Sequence, residues 1–186
     1  PLVHLPLLDV QGGTNLIPVA ARAWSVSPDQ RTLTFHLRPG LKFSSGRTVV
    51  ASDYVYSIER VVNPKTGSMF GSYVKTIRGA AAFIDGRTNR LAGLSAPTPD
   101  FFVVELEQPD PTIPYVLASA PGIALPREEI ERGEAAFGMR PVGSGQFVVA
   151  RWTRGKEVVF QPNPEYSGPA PRYLDAVEVL IGGDDT

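Results

Sequence analysis

Glycine and proline are so frequent in this chain that they limit every regular element to a short run. The 186 residues include 18 Gly and 18 Pro, which stand between apolar runs and not in one tract. Gly tolerates positive φ and Pro fixes φ, so both favour turns. The distribution therefore predicts many short helices and strands joined by turns, and it argues against disorder.

The composition excludes several classes of function. The chain is 42% hydrophobic and carries a formal net charge of −1, so neither nucleic acid nor an anionic membrane is an expected partner. It has no Cys, which excludes disulfides and thiolate metal sites. No apolar run approaches the roughly 20 residues of a membrane-spanning helix. The chain opens on "PLVHLPLLDV" without Met or a signal peptide, so we expect that residue 1 is not the natural start.

The clearest local pattern is the alternation in "RTLTFHLRPG". Leu33, Phe35 and Leu37 share one side, and polar residues occupy the other, which is the period of a half-buried strand. With "AWSVS" before it and "PDQR" as the turn, it predicts a β-hairpin over 23–38. Two further turns, at Pro-Gly and at Ser-Ser-Gly, follow this hairpin.

The middle of the chain mixes helices with a second hairpin. "ASDYVYSIERVV" predicts a helix over 51–62, with Tyr54, Ile58 and Val61 on its apolar stripe and Pro64 as its stop. "LAGLSA" and "FFVVELEQ" predict a hairpin around the loop "PTPD". Shorter helices are predicted at 73–86, 111–119 and 126–133. After Pro141, "GQFVVARW", "GKEVVFQPN" and "DAVEVLIGG" predict three strands, so we expect boundaries near Ala23 and Arg140.

No pattern in the sequence indicates catalysis. The only histidines are His4 and His36, and we expect His36 to be an exposed, non-functional residue on a polar strand face. "VGSGQF" at 142–147 lacks the third Gly of a dinucleotide loop and the first Gly of a nucleophile elbow. It reads either as a tight turn or as a loop that a ligand or another backbone approaches closely. The terminal "GGDDT" reads as a solvated turn.

An ordered set of motifs resembles the family 5 extracellular solute-binding proteins, the oligopeptide-, dipeptide- and nickel-binding components of ABC importers. The family pattern is matched in order between 23 and 64 by Trp24, Ser27, Asp29, Thr34, Phe35, Leu37, Arg38, Gly40, Phe43, Gly46, Ala51 and Asp53. "PVGSGQF", "NPEYSG" and "PRYLDAVEVLI" are similar to three later motifs of the family. The resemblance covers nearly the whole chain.

The chain departs from the family pattern at four positions. Val50 replaces the Thr that caps the helix in the capping box of the family. We expect Asp53 still to favour the helix N-terminus, and the cap to shift to Ser52 or to the side chain of Thr48. The other departures are Val49, Gln146 and Ser167, the last of which replaces a Trp.

The resemblance implies a mixed α/β fold of the periplasmic-binding-protein type, a two-lobed type II clamshell. Family members are much longer, so the chain is expected to be a partial lobe one. The resemblance assigns 1–22 and 141–186 to the strand-rich core of lobe one, and 23–140 to an inserted α/β subdomain.

The implied function is the capture of peptides, or of a similar small solute, for uptake. The implied location is the periplasm or the cell surface. The implied partners are the permease subunits of an ABC transporter. The resemblance implies no cofactor, metal or catalytic residue. Attachment to the membrane would need a lipid anchor outside this chain. Family members hold ligand largely with lobe two and the hinge, so a single lobe is expected to bind peptides very weakly or not at all. The candidate ligand-facing residues are Tyr73, which matches a cleft-facing aromatic of some members, and Gly143, Ser144 and Gly145.

Three alternatives remain at this point. A transcriptional regulator can carry the same ligand-sensing domain, and an upstream helix-turn-helix would distinguish it. An enzyme that borrows the fold would need strongly shifted carboxylates in a pocket. An assembly module would pair through open strand edges.

Overall fold

The structure is a computed structural model that describes residues 2–169 and 173–182. It contains two compact units. The larger unit comprises Pro6–Pro39 and Val50–Leu125, and the smaller unit comprises Pro1–Leu5, Gly40–Val49 and Pro126–Thr186. Their limits differ from the boundaries expected near Ala23 and Arg140. The assignment of 1–22 and 141–186 to a lobe-one core, and of 23–140 to an inserted subdomain, stays a prediction.

The larger unit contains a hairpin and a four-stranded sheet, both antiparallel. The hairpin joins β1 (Leu8–Gln11) and β2 (Asn15–Pro18), which the sequence pattern did not predict. Leu7 donates its N–H to Gly122 and accepts from Ala21, so residues 6–21 belong to this unit. The sheet has the order β3–β4–β6–β5, formed by β3 (Ala21–Val26), β4 (Thr32–Leu37), β5 (Leu94–Thr98) and β6 (Phe101–Glu105).

The alternation of β4 places its apolar row in the core, as predicted. Leu33, Phe35 and Leu37 are at most 2% exposed, while the intervening residues are half-buried. Phe102 and Val104 of β6 lie opposite Phe35 and Leu33 and are fully buried. Both predicted hairpins are confirmed, since β3 pairs with β4 and β5 pairs with β6. The register shifts between Ala21 and Ala23 in the first hairpin, and between Ser95 and Thr98, next to the turn, in the second.

Helix α1 (Ala51–Val62) has the predicted limits and covers the core face of the sheet. Tyr54 and Ile58 are fully buried, and the Tyr54 ring lies 5.7 Å from that of Phe102. Val62 completes the buried stripe, whereas Val61, which was expected on it, is only half-buried. Pro64 follows the helix, as expected, and begins a 3-10 turn.

The N-terminus of α1 retains half of a capping box. Val50 is the cap residue in extended conformation, and its N–H donates to a carboxylate oxygen of Asp53 at 2.9 Å. The expected role of Asp53 at this N-terminus is confirmed, but the expected shift of the cap to Ser52 or Thr48 is wrong. Ser52 already lies inside the helix, and the side chain of Val50 has no atom that accepts a hydrogen bond.

The helix predicted over 73–86 is wrong in its first half. A 3-10 turn covers Gly71–Val74, and the helix α2 is limited to Ala80–Ile84. Between them Ile77 bridges to Leu106, and the Arg78 N–H donates to the Glu105 carbonyl at 2.8 Å. The connection is therefore held beside β6, and Gly79 at φ +81 turns it into α2. Likewise α3 (Ile113–Val116) is a single turn, shorter than the predicted 111–119.

The smaller unit consists of two short helices and a three-stranded antiparallel sheet. Helix α4 (Arg127–Arg132) confirms the prediction over 126–133, and α5 (Glu134–Met139) follows it without having been predicted. The predicted three strands are confirmed as β7 (Phe147–Thr153), β8 (Glu157–Pro162) and β9 (Val177–Leu180), in that order in the sheet.

Some expectations fall outside the described residues. Asp184 and Asp185 of the terminal "GGDDT" lie there, as do Pro171 and Arg172 of the last family motif. Within residues 2–169 and 173–182, no helix combines the length and apolar character that crossing a bilayer requires.

Restoring the side-chain half of the capping box at position 50 should stabilise the larger unit. We expect Val50→Thr to raise the free energy of unfolding by about 1 kcal/mol, because a hydroxyl there can also accept from the Asp53 N–H, which donates to the Val50 carbonyl at 3.0 Å. Val50→Ala, which adds no acceptor, is the matched control and should not stabilise. Urea denaturation of the three chains measures the effect, and equal stability of the Thr and Ala variants would contradict this view of the cap.

Candidate functional site

The loop of Gly143, Ser144 and Gly145 in the smaller unit lies directly against the backbone of residues 2–5. A Cβ atom on Gly143 would stand 2.0 Å from the Val3 carbonyl oxygen, and one on Gly145 would stand 2.3 Å from that of Leu2. Real Cβ atoms do not approach so closely. The sequence left open whether a ligand or another backbone approaches this loop closely. In the structure, the backbone of residues 2–5 does so.

Hydrogen bonds hold this loop on both sides. The Gly145 N–H donates to the Val3 carbonyl at 2.7 Å, and the Gly143 carbonyl accepts from the Ser44 N–H at 2.8 Å. Ser144 is 3% exposed, and its hydroxyl oxygen accepts from the Leu5 N–H at 3.3 Å. These groups are thus engaged within the unit. A role of the loop in ligand binding stays a prediction.

Asn163 supports the loop from beneath and was missed as a functional position. Its side chain is fully buried, and its amide nitrogen donates to the Gly145 carbonyl at 2.8 Å. Its amide oxygen accepts from the Glu165 N–H at 3.0 Å. The sequence signal was the Asn-Pro of "NPEYSG", which was used only for the resemblance; a buried Asn with its partners on both sides is visible only in the fold.

His4 packs beside the same loop. The Cβ position of Gly143 lies 2.9 Å from Nδ1 of His4, and this nitrogen is buried with no hydrogen-bond partner in the described structure. Burial lowers the pKa of His4 from 6.5 to about 4, because the charged ring would lose its hydration. His4 is therefore a neutral packing residue at pH 7.

Tyr73 belongs to the larger unit and is 60% exposed. It stands in the 3-10 turn Gly71–Val74, which buried Val74 anchors. Its ring lies 6.3 Å from that of Phe70, tilted by 46°. The Tyr73 side chain is therefore largely open to solvent. Because Tyr73 and the 143–145 loop belong to different units, each is considered by itself.

His36 is not the exposed residue that was expected. It does lie on the polar row of β4, but its side chain is only 23% exposed and stacks on the Phe101 ring at 4.2 Å. Nε2 of His36 lies 3.1 Å from a carboxylate oxygen of Asp100 and 2.8 Å from a guanidinium nitrogen of Arg22. Among the described residues, no group of three or more His, Asp or Glu could hold a metal ion.

Comparison with known proteins decides the family. The model of the bacterial extracellular solute-binding proteins, family 5 Middle, matches residues 15–186. The chain belongs to this family. The resemblance stated from the motifs is confirmed, and so is the mixed α/β fold of the periplasmic binding proteins in partial form.

Relatives of this family 5 chain are peptide- and solute-binding proteins. The chain is 30% identical over 179 residues to the probable deoxycholate-binding periplasmic protein YgiS of Escherichia coli, covering 94% of this chain and 34% of that protein. It is 31% identical over 170 residues to the periplasmic murein peptide-binding protein MppA of E. coli, covering 89% and 32%. The solved structure of Haemophilus influenzae OppA in complex with RPPGFSPFR superposes with a TM-score of 0.80 at 30% identity, covering 88% and 33%.

The family 5 chain therefore spans about a third of the length of these relatives. The family consists of solute-binding proteins of transporters, not of enzymes.

The two loop glycines should not tolerate a side chain. We expect Gly145→Ala to lower the free energy of unfolding by about 2–4 kcal/mol, because its Cβ would overlap the Leu2 carbonyl. Gly138→Ala is the matched control, since a Cβ there meets nothing within 4 Å and Ala suits the interior of α5 better. Thermal unfolding compares them; a Gly145→Ala chain as stable as Gly138→Ala would refute the close approach.

His4 should make stability depend on pH. Between pH 6.5 and about 4 the unfolded chain protonates His4 and the folded chain does not, so stability falls as pH falls and then levels off. The loss attributable to His4 is about 2–3 kcal/mol. We expect His4→Phe to remove this part of the slope in denaturation measured from pH 7.5 to 4. An unchanged slope would show that the imidazole is not buried.

Proposed function

We propose that this chain forms part of the solute-capturing component of an ABC importer, and that the solute is an oligopeptide or a similar small molecule. The observation that carries the proposal is the family match over 15–186, together with a fold that superposes on H. influenzae OppA in its peptide complex. The proposed class of solute is broader than peptides because one relative, YgiS, is a probable deoxycholate-binding protein.

Two separate contacts with the solute are proposed, one on each unit, and each is proposed by itself. Tyr73 supplies an exposed ring for stacking on a peptide bond or an apolar side chain. The 143–145 loop of the smaller unit supplies backbone groups other than those already bonded to Val3, Ser44 and Asn163. We propose further that 1–22 and 141–186 are core segments of lobe one, with 23–140 inserted between them.

The proposed partners and location follow from the same family. A solute-binding protein delivers its solute to permease subunits, and its relatives OppA and MppA are periplasmic by name. We therefore propose an extracytoplasmic location, with membrane attachment only through a lipid anchor outside the described residues. The chain itself is proposed to act without cofactor or catalysis.

The regulator considered as an alternative gains no support. The relatives compared above are binding proteins, and no observation points to a DNA-binding segment. For the enzyme alternative, strongly shifted carboxylates in a pocket were expected; the pKa values of Asp29, Asp100, Asp110 and Glu128 all lie below the usual range of a carboxyl. Lowered values are typical of hydrogen-bonded surface carboxylates rather than of general acids.

Weak peptide binding that involves Tyr73 tests the proposal. We expect trialanine to bind the 186-residue chain with a Kd weaker than about 10 µM, because one lobe offers no closed state. In NMR titrations the amides of residues 72–74 and 143–145 should shift. Tyr73→Ala should weaken binding by about fivefold, whereas Tyr73→Phe, which keeps the ring, should bind nearly as well as the parent.

Tyr173→Ala is the control for a nonspecific effect, because Tyr173 is an even more exposed tyrosine, at 88%. A titration without shifts at millimolar trialanine would count against solute capture by these residues. A Kd tighter than about 10 µM would instead count against the need for a second lobe.

A further inference from the structure

The outer edge of β3 is covered at its start, where the Ala21 N–H donates to the Leu7 carbonyl at 3.1 Å, and among the described residues it is open at Trp24 and Val26. β3 pairs with β4, and no other described strand pairs with it. Its residues Trp24 and Val26 lie opposite Phe35 and Leu33. The direction of their backbone groups can be read from the ladder, because hydrogen-bonded and non-hydrogen-bonded pairs alternate between antiparallel strands.

The N–H and C=O groups of Trp24 and Val26 point outward, away from β4. The Ser27 N–H donates to the Thr32 carbonyl at 2.9 Å, so residues 27 and 32 form a hydrogen-bonded pair. Counting back by alternation, the pairs 26–33 and 24–35 are non-hydrogen-bonded. The pairing with β6 agrees with this. The Leu106 N–H donates to the Arg31 carbonyl at 2.7 Å, so by the same alternation the N–H and C=O groups of Leu33 and Phe35 point to β6.

A groove continues the core face of the sheet beyond this edge. It has a volume of about 550 Å³, and Trp24, Val26 and Leu33 line its sheet side. Leu16 of the β1–β2 hairpin and Pro114 and Tyr115 of α3 line the opposite side. Val26 and Tyr115 are 42% and 43% exposed, so apolar surface remains uncovered. The groove lies where the inward side chains of one more strand would be placed.

The charge in the groove is negative. Asp110 is the only ionisable carboxyl or basic group of its lining. Burial raises the pKa of Asp110, but hydrogen bonds from Thr112 and Thr76 outweigh it and hold this pKa below its usual range. A carboxylate that is ionised at pH 7 beside an apolar groove favours a cation over a second acid.

We propose that the outer edge of β3 is a docking site for an extended polypeptide segment of another protein. The segment pairs with the backbone of Trp24 and Val26, places apolar side chains in the groove at every second position, and brings a Lys or Arg to Asp110. Main-chain hydrogen bonds supply affinity in such strand addition, and the alternate side-chain pockets supply specificity. Neither Tyr73 nor any residue of the 143–145 loop lines this groove.

Amide hydrogen exchange in the unaltered 186-residue chain tests the pairing. The probe is an acetylated and amidated nonapeptide in which Val alternates with Thr and a Lys occupies each end. At saturation, hydrogen exchange of the Trp24 and Val26 amides should slow by about tenfold, because each N–H then donates a hydrogen bond to the peptide. The Ser25 amide, which already faces β4, should not change.

A proline at the outward position isolates the edge. Val26→Pro removes an N–H that β4 does not use, so the sheet should tolerate it, and it should weaken the peptide by about tenfold or more. Val26→Ile keeps the N–H and is the matched control, with affinity within about twofold of the parent. The same peptide with Glu at both ends should bind about fivefold more weakly, because Asp110 repels it.

Several results would overturn the proposal. One is an unchanged exchange rate at Trp24 and Val26 with the peptide at millimolar concentration. Another is equal affinity of Val26→Pro and Val26→Ile for the peptide. A third is self-association in sedimentation velocity that Val26→Pro abolishes while the peptide has no effect, since a second copy would then occupy the edge. If Val26→Pro fails to fold, the exchange measurement on the unaltered chain still decides the question.

Discussion

A column of four aromatic rings holds the larger unit together. Trp24, Phe35 and Phe102 stack across three neighbouring strands with centroids 6.3 and 5.9 Å apart, and Tyr54 of α1 follows at 5.7 Å. The rings join the edge of the sheet to its covering helix, and stacked aromatic pairs add to the effect of burial. Burial, and to a lesser degree the charge of Asp53, raises the pKa of Tyr54, whose hydroxyl has no partner in the described structure. Tyr54 therefore serves as a large neutral ring.

The smaller unit depends on close contact between backbones. Gly143 and Gly145 allow residues 2–5 to approach the loop, and Ser144 and Asn163 satisfy the polar groups that this approach buries. Buried polar groups in a low-dielectric interior must be paired, so these residues determine where the loop lies. A loop held in this way is preorganised, which is the property that a binding surface needs if it is to orient a ligand without first being ordered by it.

The predictions from sequence succeeded where one short element determines its own pattern. The alternation of β4 and the stripe of α1 each reflect a single buried face, so the hairpins, the 51–62 helix and the three last strands were found. They failed where a distant segment decides. Residues 76–78 follow β6 because Arg78 and Ile77 pair with it, and this pairing prevents a helix over the first half of 73–86. The predicted shift of the α1 cap away from Val50 also failed. The predicted site did not include Asn163, whose hydrogen-bond partners lie 18 and 2 residues away in the chain.

The sequence by itself determined the family, the local elements and the absence of Cys, because motif order, hydrophobic period and composition are properties of the chain. Only the tertiary structure decided that the glycines of the 143–145 loop accommodate the backbone of residues 2–5. It also decided that Tyr73 stays exposed, and that β3 ends the sheet with two outward N–H groups beside an apolar groove. Each of these depends on which backbone lies beside which, and segments brought together from distant parts of the chain leave no periodic signal in either of them.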